Sequence, residues 1–170
     1  MSRRQGALSA YRKLRGTRLV TCPETEKPAA VEVDALHAAA SVLFGEADLR
    51  LKECSRWPER AGCGQECLSQ VESRPEACLV RTIVRRWYEG KSCALCNRPI
   101  VEIGWPKHRP ALVSPENVTV QWHEVMAEKL PEVLATHRPV CWDCHVVATA
   151  EREHPGLYFV RPPRPPTLRK

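Results

Sequence analysis

The amino-acid sequence predicts an α+β fold of two small, cysteine-rich lobes joined by a helix. Three observations carry this expectation. Nine cysteines in 170 residues fall into two groups, five between positions 22 and 78 and four between 93 and 144. Within each group, short segments of alternating apolar and polar residues are interspersed with segments at helical spacing. A chain of this length with 43% hydrophobic content can bury one ordinary core, or two small ones if cross-links assist.

Taken in order, residues 1–17 read as a basic, flexible tail. The first lobe spans 18–74. Leu19 to Cys22 and Ala30 to Val33 are short strands around the turn Pro23-Glu-Thr-Glu-Lys-Pro28. Asp34 caps a helix whose Leu36, Ala39, Ala40 and Leu43 recur at helical spacing, with Gly45 as the stop. Leu49 and Leu51 suggest a strand running into Cys54. A short helix from Cys63 to about Val71 places Cys67, Leu68 and Val71 on one side. Ser73-x-x-Glu76 has capping-box spacing and opens a connecting helix over 75–89, with the stripe Val80, Ile83, Val84 and Trp87 and a stop at Gly90.

The second lobe spans 91–160. Val101, Ile103 and Trp105 alternate with polar or small residues as a half-buried strand does, and Val118 and Val120 do likewise. Trp122, Val125, Met126 and Leu130 switch to helical spacing, interrupted at Pro131. A last helix begins at Cys141 and ends before His154-Pro155-Gly156. Residues 161–170 carry four prolines and four basic side chains and form an extended tail.

The formal charge of +6 is concentrated at the ends. Residues 1–20 hold six basic and no acidic side chains, whereas residues 21–160 hold 16 basic and 20 acidic ones. Attraction to nucleic acid is therefore expected only through the tails. No apolar run has the length of a signal-peptide core or a membrane span, so the chain reads as soluble and cytoplasmic, without a membrane partner. In that reducing compartment thiols persist and can ligate metal, and an odd number of them cannot all pair within one chain.

The sharpest motif is the pair Cys93-x-x-Cys96 and Cys141-x-x-Cys144. Two residues between cysteines let a tight turn aim both sulfurs at one point, and two such turns complete a tetrahedron about zinc. Lys91-Ser-Cys93-Ala-Leu-Cys96-Asn-Arg-Pro-Ile100 resembles the knuckle and hairpin that open a zinc ribbon or treble-clef finger. Val140-Cys141-Trp-Asp-Cys144-His145, leading into a helix, is closer to the treble clef. The resemblance covers about 60 residues and implies a metal-stapled scaffold, not an activity. A helix N-terminus would also favour thiolates there. Cys141 to His145 also satisfies the C-x-x-C-H pattern of c-type haem attachment, which would leave Cys93 and Cys96 without a role. An HNH-like nuclease ends its treble clef similarly, but needs a hairpin histidine after an acidic residue. Here His108 follows Lys107 and His123 follows Trp122.

Upstream, Cys22, Cys54, Cys63 and Cys67 are the expected ligands of a second site, with Cys78 as the spare or substitute ligand. Cys63 and Cys67 would share a helix face. Zinc is expected there by analogy with the second lobe, and an iron–sulfur cluster uses the same ligand type. No Gly-rich phosphate loop and no H-E-x-x-H helix occurs. Aromatic residues form only 6% of the chain and do not interleave with a basic patch, which argues against a base-stacking surface. The expectation is a non-enzymatic, zinc-stabilised adaptor or regulatory module with a protein partner. The alternatives are a redox or metal-handling protein and a nucleic-acid-binding or nuclease treble clef.

Overall fold

The computed structural model describes residues 3–60, 62–101, 103 and 109–156. It mixes helices with two three-stranded antiparallel sheets, and the chain divides into two compact units. One comprises residues 1–83 with 126–129; the other comprises 84–125 and 130–170. The division falls inside the helix that the sequence predicts to connect the two lobes.

The first unit opens with α1 (Arg3–Leu14) where the sequence suggests a loose tail. Arginine, lysine, leucine and alanine are good helix formers, and the helix is anchored because Leu14 and Tyr11 pack into the core. Strands β1 (Arg18–Thr21), β2 (Pro28–Val33) and β3 (Leu51–Cys54) follow, with β2 in the centre. Their period-two pattern turns Val20, Ala29, Val31, Val33 and Leu51 inward. Helix α2 (Ala35–Val42) starts where expected: the Asp34 side chain accepts the His37 N–H at 2.9 Å and is gripped by both Arg50 Nε and Nη2 at 3.0 and 2.7 Å. Those bonds hold the Asp34 carboxyl below its ordinary range.

Three helix expectations need correction. Helix α3 (Leu68–Ser73) does not begin at Cys63. Gly62 and Gly64 weaken helix formation there, and Gln65 has a positive φ of 56°, so Cys63 stays outside the helix. The capping box at Ser73 does not form; Ser73 Oγ bonds back to Gln70 O instead. Residues 78–80 are committed to the edge of β1, with Leu19 N bonding Cys78 O, Val80 N bonding Thr17 O, and an isolated bridge between Arg18 and Leu79. Helix α4 (Val80–Tyr88) starts only after that pairing. Its strongly amphipathic sequence buries Val80, Val84 and Tyr88 and exposes Arg81, Arg85 and Arg86.

In the second unit, β4 (Ala111–Val113) lies between β5 (Thr119–Gln121) and β6 (Arg138–Val140), antiparallel to both. The helical spacing after Trp122 yields two single 3₁₀ turns, 122–124 and 127–129, before α5 (Leu130–Thr136). Pro131 does not interrupt this helix; it lies in its first turn, where a missing N–H costs nothing. A reciprocal capping box does occur, but between Gln121 and Glu124. The strand expected through Val101, Ile103 and Trp105 falls largely outside the described residues, and Val101 is exposed with no strand assigned. Helix α6 (Trp142–Glu153) has Cys141 as its N-cap residue and ends at His154, as the sequence indicates.

Candidate metal centre

The second unit brings Cys93, Cys96, Cys141 and Cys144 together. Their four sulfurs all lie within 4.8 Å of one another, and Cys96 Sγ and Cys141 Sγ are 3.8 Å apart. Sulfurs bound 2.3 Å from one zinc at tetrahedral angles stand about 3.8 Å apart. The donor set therefore fits a single tetrahedral ion.

Each sulfur is delivered by backbone hydrogen bonding. Residues 92–99 form a tight hairpin: Cys93 N bonds Arg98 O, Asn97 N bonds Cys93 O, both at 2.8 Å, and Ser92 pairs with Pro99. Asn97 takes φ 62°, a left-handed conformation that asparagine tolerates better than most residues. Ala94 N donates to Pro139 O at 2.8 Å, fastening this turn to β6. The chain then leaves β6 directly into Cys141, and one turn of α6 presents Cys144 beside it. Cys93, Cys96 and Cys144 are buried, packed with Ala111, Val113 and Val140.

Electrostatics follow from burial and from hydrogen bonds to sulfur. Burial pushes the Cys141 thiol up to about 11 and the Cys144 thiol higher, with the neighbouring cysteines adding to the Cys144 shift. Burial also opposes ionisation of Cys96, but backbone and side-chain hydrogen bonds from Arg98 outweigh it and hold that thiol at about 7. Cys141 and Cys144 are therefore poorly ionised until a cation joins them. The Arg98 guanidinium is raised in turn by Cys96, and it reaches Asp143 at 3.5 Å. Arg98 is a positioning residue that the spacing of cysteines did not single out.

His145, the residue behind the haem and nuclease patterns, is buried on α6 with Nδ1 lacking a hydrogen-bond partner, and burial lowers its pKa. His123 faces Arg109 at 3.0 Å and follows a tryptophan; His108 lies outside the described residues.

In the first unit, Cys22, Cys54, Cys63 and Cys67 line one cavity of about 90 Å³. They are not gathered as the other four are: among the described residues, the group of ligand atoms drawn together around one point is that of Cys93, Cys96, Cys141 and Cys144. Cys67 is the N-cap residue of α3 and not a helical neighbour of Cys63. Burial, then the charges of Cys54, Cys63 and Cys22, push the Cys67 thiol up to about 11. Cys78 does not line this cavity; its thiol faces Pro75 O at 3.6 Å and the Arg18 side chain, and burial raises its pKa.

No protein-family model matches this sequence, and no curated protein or solved structure matches it. What the centre can do is set by its own geometry and by its donor chemistry. Among the described residues, no helix is long and apolar enough to cross a membrane.

Proposed function

We propose that Cys93, Cys96, Cys141 and Cys144 hold a structural zinc ion, and that the protein is a zinc-stabilised adaptor or regulatory binding module of the cytoplasm. The observation that carries this reading is closure. Four thiols converge on one point, three of them buried, so a tetrahedral ion there has no open position for water or substrate. Soft sulfur donors in that arrangement select zinc over the hard, oxygen-seeking cations. The order of a cysteine hairpin, the β4–β5 hairpin and a helix that opens with the second cysteine pair supports a treble-clef-like unit over a ribbon. A protein partner is supported by Phe44 and Leu36, which leave 90% and 72% of their surface exposed on and just after α2.

Elemental analysis with native mass spectrometry of protein made in a reducing cytosol tests the metal. One zinc that disappears in Cys144→Ser is the expected result. A chain without zinc would sink the reading.

A nucleic-acid partner is the second reading, favoured by one observation. Arg81 and Arg85 lie one turn apart on α4 with Arg86 beside them, and all three are exposed. Binding to duplex DNA or RNA that falls steeply with salt and weakens in Arg85→Glu/Arg86→Glu supports it; salt-insensitive or absent binding removes it.

A further inference from the structure

The loop between β1 and β2 repeats the backbone of the cysteine hairpin in the second unit. At Cys93, the N–H bonds the carbonyl five residues on, and the residue four on returns an N–H to Cys93 O. At Cys22, Cys22 N bonds Lys27 O at 2.9 Å and Glu26 N bonds Cys22 O at 2.8 Å. The fourth residue after the cysteine has a left-handed φ in both, 62° at Asn97 and 55° at Glu26. The flanking pairs share the register as well: Ser92 with Pro99, and Thr21 with Pro28. A glutamate held at positive φ is uncommon without a reason. The difference lies at the third position, where Thr25 stands in place of a second cysteine. Residues 22–27 therefore share the backbone shape of the turn at Cys93 and carry one cysteine.

The remaining sulfurs come from three other places around the same cavity. Cys54 ends β3, and its Sγ accepts the Arg56 N–H at 3.4 Å. Amide donors also reach the sulfur two residues back at Cys22 and Cys96, from Glu24 and Arg98. Cys63 lies between Gly62 and Gly64 outside any helix, and Cys67 opens α3. The Gln65 side chain between them accepts the Leu51 N–H at 2.8 Å and ties this loop to the sheet. Arg56 lines the cavity with Nε buried and without a hydrogen-bond partner. A divalent ion with four thiolates carries a net charge of −2, so a guanidinium beside it is the complement expected, as Arg98 is at the other centre.

We infer that Cys22, Cys54, Cys63 and Cys67 form a second thiolate metal centre, a mononuclear zinc site that closes on the ion, with Cys78 excluded. This site is independent of the Cys93 centre. Because its sulfurs must be drawn together, part of the binding free energy is used in closing the site on the ion. It therefore binds more weakly than the preformed centre and exchanges first.

The test uses the full chain loaded with Zn²⁺ and alkylated with iodoacetamide during a titration with chelator, with labelled peptides quantified by mass spectrometry. The expected result is two zinc ions per chain, with Cys22, Cys54, Cys63 and Cys67 becoming reactive together, at least tenfold lower in chelator than Cys93, Cys96, Cys141 and Cys144. Cys22→Ser loses one zinc, and Cys78→Ser keeps both. Should Cys22→Ser fail to fold, the labelling pattern of the wild-type chain still decides. One zinc per chain, early reactivity at the Cys22 group with zinc present, or loss of a zinc in Cys78→Ser overturns the assignment. Iron with acid-labile sulfide in the purified protein, seen as visible charge-transfer absorption, overturns the mononuclear site in favour of a cluster. Failure of the Cys93 centre would instead appear in its own peptides.

Discussion

Arg18 is fully buried, and its guanidinium donates to the last two carbonyls of α1 and to one just beyond it. Nη1 bonds Leu14 O at 2.5 Å and Gly16 O at 2.8 Å, and Nη2 bonds Lys13 O at 2.6 Å. A cation on the last carbonyls of a helix satisfies acceptors that have no intrahelical donor and meets the negative end of the helix dipole. Arg18→Met keeps most of the side chain's bulk and removes all three donors. The Leu14 carbonyl is buried and bears the full penalty of an unpaired acceptor, about 1–3 kcal/mol; the other two are partly buried and recover part of theirs from water. The expected loss is about 3 kcal/mol, which at about 2 kcal/mol per molar urea moves the denaturation midpoint down by about 1.5 M. The assay is urea denaturation of the zinc-loaded chain followed by far-UV circular dichroism. Arg12→Met, on the exposed part of α1, serves as the control and is expected within about 0.5 kcal/mol of the parent. A midpoint shift below about 0.3 M in Arg18→Met would refute the view that this arginine fastens α1 to the first unit.

Zinc binding at pH 7 should release at least two protons, because burial holds the Cys141 thiol at about 11 and Cys144 above it, both protonated until the ion arrives. Affinity at the Cys93 centre then rises with pH and is lost in acid. Calorimetry in buffers of different ionisation enthalpy measures the number, and release of one proton or fewer contradicts the burial argument. Tyr88→Phe removes the buried hydroxyl that donates to Ala111 O on β4 and is expected to cost about 1–3 kcal/mol, read as a lower urea midpoint with zinc content unchanged. A loss of zinc in that variant would mean that Tyr88 shapes the metal centre itself.

Much of this architecture was legible in the sequence where a strong local rule acts without competition. Asp34 caps α2 because a carboxylate precedes an alanine-rich apolar stripe, and Cys141 opens α6 because the cysteine pair is followed by helical spacing. The four-thiol centre was legible for a related reason: C-x-x-C spacing is a geometric statement about a turn. The failures have physical causes. Ser73-x-x-Glu76 is a capping box in sequence, but the backbone of residues 78–80 is claimed by β1, a partner 60 residues away in the chain. Strands β4 and β6 are only three residues each, too short for a period to show, and β4 is buried throughout. Helix α1 lacks a strong apolar stripe, so its twelve residues looked like a solvated tail until Leu14 and Tyr11 found a core. The turn after Cys22 and the choice of Cys22 as a ligand were legible, but the match of its backbone to the turn at Cys93 was not, because threonine stands where that motif has its second cysteine.

The two units differ in what surrounds their cysteines, and that difference orders the response to metal loss. In the first unit, ten buried residues among those described form the core cluster, and Cys67 is the proposed ligand within it; Val20, Val31, Val33, Leu51 and Val71 supply apolar burial that no ion is needed to hold. In the second, the cluster around the proposed centre has six buried residues among those described, and three of them are the proposed ligands Cys93, Cys96 and Cys144. Removing the ion there leaves crowded, desolvated thiols where a core would be. Graded chelation is therefore expected to strip the Cys22 centre first while β1 to β3 keep their slow amide exchange. Later loss of the Cys93 centre should expose the amides of β4, β6 and the start of α6 in one cooperative step. Hydrogen exchange followed by mass spectrometry resolves those peptides. If β2 loses protection before β4 as zinc is withdrawn, then the apolar cluster of the first unit depends on its metal after all.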